Sequence, residues 1–126
     1  RVLIAGLSGL AAEVAKNVVL AGIGSVTLMD DSPVSSRRHG NFLVSADTDP
    51  SSSVAEASAA TLRDMNPLVA IKTHAGLPET FSSTDDLADF DVIVLLEASL
   101  TVQERWDGWA KKHGVRFFSA CVRGPM

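Results

Sequence analysis

The sequence predicts an α/β protein with a Rossmann-like, doubly wound, mainly parallel sheet and helices on both faces. Three observations lead there. Short, wholly apolar runs recur along the chain, as strands buried on both faces of a parallel sheet require. Segments with helical spacing separate them, in the order expected of right-handed βαβ crossovers. A glycine-bearing turn stands where the first apolar run meets the first helix.

The elements follow in order. Val2 to Ala5 is the first strand, and Gly6-Leu7-Ser8-Gly9 is a tight turn. Leu10 to Ala21 reads as a helix, with Leu10, Val14 and Val18 forming an apolar stripe at i, i+4 and i+8. Glu13, Lys16 and Asn17 lie off that stripe. Gly22 and Gly24 end the helix, since glycine suits a left-handed C-cap. Ser25 to Met29 is the second strand, with Asp30 and Asp31 at its carboxyl end. Residues 32–53 are polar and weakly patterned, a connection long enough to be functional or mobile, with an apolar island at Asn41-Phe42-Leu43-Val44. A helix spans Val54 to Met65 and stops at Asn66-Pro67, because a residue before proline disfavours the α region. Leu68 to Lys72 is the third strand, and residues 73–90 connect it onward through a short helix at Asp85 to Ala88. Val92 to Leu96 is the fourth strand. Thr101 to His113 is a helix with Trp106, Trp109 and Ala110 on one side, ended by Gly114, and Val115 to Ala120 is the fifth strand.

Composition narrows the function classes. The 126 residues fit one domain, and 46% apolar residues can bury a core. A net charge of -4 and a pI near 5.2 argue against a nucleic-acid partner, which would draw a basic face. No apolar run approaches the roughly 20 residues of a membrane-spanning helix, so no membrane partner is expected. One cysteine excludes an internal disulfide framework and a Cys-rich zinc site, and it suggests a reducing compartment. The chain opens without Met, directly into a strand, and closes just after another. It is therefore read as a single partial domain, residues 1–126, truncated at both ends.

The pattern Gly6-x-x-Gly9-x-x-Ala12 departs from the dinucleotide fingerprint, because Ser8 replaces the middle glycine. Backbone N–H groups at a helix N-terminus still attract an anion there, although a Cβ at Ser8 obstructs close approach. Asp30 is placed to meet a ribose hydroxyl. Gly6, Gly9 and Asp30 are thus the candidate remnant of a nucleotide site, and the alternative that the glycines serve only turn geometry stays open. His39, His74 and His113 lack metal-ligand spacing, so no metal site is expected. Cys121, following a strand, is expected to be a buried structural thiol. Arg37 and Arg38 on the long connection read as solvated charge, as do Asp85, Asp86, Asp89 and Asp91.

The run from Gly6 to Asp31, with AEVAKNVVLAG followed by SVTLMDD, resembles the adenylation domains of ubiquitin-like modifier activating enzymes, a ThiF/MoeB-like adenylation fold. Asn41-Phe42-Leu43-Val44 is similar to that family's QFL segment. Ala55 to Ser58 with Met65-Asn66-Pro67 is similar to its next helix, and Val115 to Gly124 is similar to the small regulatory subunit of SUMO-activating enzymes. The resemblance implies a fragment of a larger adenylation-type domain. In this family an active half binds Mg-ATP and adenylates the modifier's C-terminus, and a second half keeps the fold without the chemistry. The active half's full glycine motif, its Lys before the second helix and its Asp-Asn pair after the fourth strand are replaced here. Their places hold Ser8 and Ala12, Ser51-Ser52-Ser53, and Glu97-Ala98-Ser99. Nucleotidyl transfer relies on cations to stabilise developing negative charge, so the resemblance implies an inactive half with no catalytic residue.

As an expectation, this half would be the regulatory subunit of a heterodimeric SUMO-activating enzyme in nucleus and cytoplasm. It would pair with the catalytic large subunit through Glu13, Lys16 and Asn17 and meet SUMO through the complex. ATP and Mg2+ would sit mainly on the partner subunit. The inactive half of a ubiquitin- or Nedd-type enzyme is the alternative, followed by a NAD-type oxidoreductase domain.

Overall fold

Five strands, β1 (Val2–Ala5), β2 (Ser25–Met29), β3 (Ala70–Thr73), β4 (Val92–Leu96) and β5 (Arg116–Ala120), form one sheet in the order β3-β2-β1-β4-β5. All neighbouring pairs are parallel. The computed structural model describes residues 1–37, 41–82 and 85–122. Helices α1 (Gly9–Leu20), α2 (Val34–Arg37), α3 (Val54–Met65) and α4 (Leu100–His113), with a 3-10 turn at Asp85–Asp89, complete the described elements. The chain moves outward on one side of β1, then crosses over it to β4 and β5. The strand order reverses between β1 and β4, which makes the carboxyl ends of these strands the switch point of a doubly wound sheet. No described helix is long and apolar enough to cross a membrane.

Two cores flank the sheet. On one face α1 and α3 pack on Ile4, Val26, Leu28 and Ile71. On the other, α4 and the 3-10 turn pack Trp106, Ala110 and Leu87 on Leu3, Ala5, Ile93 and Leu95. Trp106 is fully buried, and its indole N–H donates to the Pro78 carbonyl at 3.1 Å, which spares a buried polar group.

The cores differ in which residues bring helix and sheet together. Leu10, Val14 and Val18 do not form the buried stripe of α1; the buried side is Ala11, Ala12, Ala15 and Val19. Small alanines let α1 lie close to β1, and the larger residues become a partly buried flank. The third strand starts two residues later than expected, because Asn66 Oδ1 accepts from the Leu68 N–H at 3.1 Å and turns the chain there, leaving Leu68 93% exposed. The long connection carries the short α2 and a bridge between Pro33 and Ser53.

Two diagonal quarters of the sheet are left without a helix. Cross-strand register sorts their chemistry. On the α4 face, the row Lys72-Thr27-Leu3-Ile93-Phe117 is polar at its β3 end, where Thr27 is buried and Lys72 is exposed. A cavity of about 270 Å³ lies there, lined by Ser25, Thr27, Lys72 and His74 among others. On the α1 face, the row Thr73-Leu28-Ile4-Val94-Phe118 stays apolar to its uncovered β5 end. Phe118 is 59% exposed there.

Candidate functional site

The turn after β1 is set by Gly6. Its φ is +86°, a region L side chains rarely adopt, and a Cβ would collide with the Leu96 carbonyl oxygen of β4. Glycine therefore lets the β1 turn and the β4 end meet at the switch point. Gly6 N–H donates to the Met29 carbonyl at 3.1 Å, extending the sheet past the strand. The following peptide groups are held by side chains from distant segments. Leu7 N–H donates to Asp30 Oδ2 at 2.9 Å, and the Leu7 carbonyl accepts from Asn41 Nδ2 at 3.3 Å. Asn41 is tied in turn to Ser58 Oγ and to the Leu43 N–H.

Asp30 is fully buried. Its second oxygen accepts from the Ser32 N–H at 3.0 Å. Both oxygens thus take backbone donors, and the carboxylate joins the glycine turn to the start of the long connection. Asp31 makes a similar tie on the surface. It accepts from the Gly76 N–H at 2.5 Å through Oδ2 and donates its own N–H to the Gly76 carbonyl at 3.2 Å. Gly9 begins α1, whose N-cap Ser8 offers no side-chain bond; the buried Ser8 hydroxyl has no partner. The other long helices are capped in the ordinary way. Ser53 Oγ accepts from the Glu56 N–H at 3.1 Å and Ser99 Oγ from the Val102 N–H at 3.4 Å. The free donors at the start of α1 keep the anion-attracting character of a helix N-terminus. Gly6, Gly9 and Asp30 thus share one corner of the molecule.

Across the switch point, Glu97 follows β4 with φ +58°, a left-handed conformation for a non-glycine residue. Its N–H donates to the Ala120 carbonyl at 3.0 Å, and its Oε1 accepts from the Val122 N–H at 2.8 Å. Glu97, Ala98, Ser99, Cys121 and Val122 line an open cavity of about 400 Å³. No described lining residue is basic. Cys121 is exposed rather than buried: β5 is an edge strand with little above it, so the chain after it stays at the surface. Among the described residues, no group of His, Cys, Asp or Glu could hold a metal ion. The described donor set does not fit a magnesium-triphosphate site.

The three α1 residues expected at a partner interface lie together on its solvent side. Lys16 Nζ is 3.0 Å from Glu13 Oε2, and Asn17 Nδ2 donates to the Glu13 carbonyl at 2.8 Å. Lys16 also lies over the Phe42 ring at 5.4 Å, and Leu20 is exposed beside them. Arg37 ends α2, while Arg38, His39 and the segment from Arg123 onward lie outside the described residues. The acidic run is exposed, and it is paired in part: Asp86 faces His74 Nε2 at 3.4 Å. Sequence reasoning missed Asn41 as a support of the turn. The available signal was a buriable amide inside an otherwise apolar island.

The ThiF family matches residues 1–124. Ubiquitin-like modifier-activating enzyme 7 of Homo sapiens is 44% identical over 126 residues, covering 98% of this chain and 12% of that protein. SUMO-activating enzyme subunit 1 of Xenopus tropicalis is 38% identical over 130 residues, covering 98% of this chain and 35% of that protein. The crystal structure of E. coli MccB with selenomethionine MccA superposes with a TM-score of 0.81 at 18% identity, over 99% of this chain and 39% of that one, a likeness of fold. The chain spans well under half the length of each of these proteins.

Proposed function

This chain belongs to the ThiF family, and from that premise we propose that it is a non-catalytic half of a ubiquitin-like modifier activating enzyme. In this reading it is the regulatory half of a SUMO-type heterodimer, working in nucleus and cytoplasm. It pairs with a catalytic large subunit that binds ATP and Mg2+ and adenylates the C-terminus of SUMO. One observation carries the reading. At the carboxyl ends of β4 and β5, where the resemblance places an active half's Asp-Asn pair, the described lining is Glu97, Ala98, Ser99, Cys121 and Val122. The Glu97 carboxylate there holds a backbone N–H. Such a lining offers nothing to stabilise charge developing on a phosphoryl group. Asp30 likewise spends its oxygens on Leu7 and Ser32. What this half supplies is a rigid scaffold and a surface, including the Glu13, Lys16 and Asn17 side of α1.

The 44% identity to a ubiquitin-like modifier-activating enzyme 7 favours a second reading, the inactive half of a ubiquitin-type enzyme. ATP–pyrophosphate exchange separates the readings. The chain alone is expected to give no exchange, and the chain with a SUMO-type catalytic subunit is expected to give SUMO-dependent exchange. Exchange by this chain alone defeats the non-catalytic reading. Exchange with ubiquitin and its catalytic half, but not with SUMO, moves the assignment to the second.

A further inference from the structure

We draw no further inference here: the strongest candidate, the polar cavity of about 270 Å³ beside β3, lined by Ser25, Thr27, Lys72 and His74 among others, carries nothing, because nothing in the structure shows what fills it.

Discussion

Two strand-to-helix turns meet at the top of the sheet, and they solve the same geometric problem differently. After β1, Gly6 takes the left-handed conformation, Ser8 leaves its helix uncapped, and the peptide of Leu7 is held by Asp30 and Asn41. After β4, a glutamate takes that conformation, Ser99 caps its helix, and the Glu97 carboxylate ties down Val122. The first turn keeps helix donors free and relies on side chains from elsewhere. The second satisfies itself. The difference teaches that one turn can be fixed from distant segments while leaving helix N–H groups free, and the other by its own carboxylate and cap.

Four substitutions break or sharpen that contrast. The largest effect belongs to Gly6→Ala. The left-handed strain and the collision with the Leu96 carbonyl should together cost about 3 kcal/mol or more, seen as a lower urea midpoint. A midpoint within error of the parent's would mean the two turns are not in contact. Asp30→Asn comes next. An amide can accept from only one of the two N–H donors, leaving the other buried and unmade at a cost of about 2 kcal/mol. Faster amide exchange at Leu7 and Ser32 should accompany the loss, and unchanged exchange would remove Asp30 from the clamp.

Ser99→Ala should cost about 1 kcal/mol as a lost N-cap, whereas Ser8→Ala should be about neutral, since its hydroxyl bonds to nothing. Equal costs for the two serines would erase the comparison. The smallest net effect is expected for Glu97→Gly. Relief of left-handed strain, about 1 kcal/mol, offsets loss of the bond to Val122, also about 1 kcal/mol. A large destabilisation would show that the Val122 tie dominates; a clear gain would show that the strain does.

Much of this was legible along the chain. The apolar runs 2–5 and 92–96 became central strands, because strands buried on both faces have no polar alternation to confuse them, and Ser25–Met29 joined them in spite of Ser25 and Thr27. Gly22 and Gly114 took left-handed φ at helix ends, whereas Gly24, grouped with Gly22 in the sequence, did not. The edge misled. Val115 to Ala120 reads as a strand like the others, yet β5 is exposed and so is Cys121 after it, because position in the sheet is not written in the order of the strands along the chain. The stripe of α1 misled for another reason. Hydropathy weights the large Leu10, Val14 and Val18, whereas close helix–sheet contact selects the alanines.

Local order therefore determined the elements, the glycine of the first turn and the resemblance that led to the ThiF family, since strand pattern, left-handed φ and caps depend on neighbours in sequence. Only the tertiary structure decided what Asp30 and Asn41 hold, because their partners lie 23 and 34 residues away. The same is true of the contrast between the two open quarters of the sheet. Cross-strand register, which places Phe118 beside Val94 and Lys72 beside Thr27, is a property of the assembled sheet.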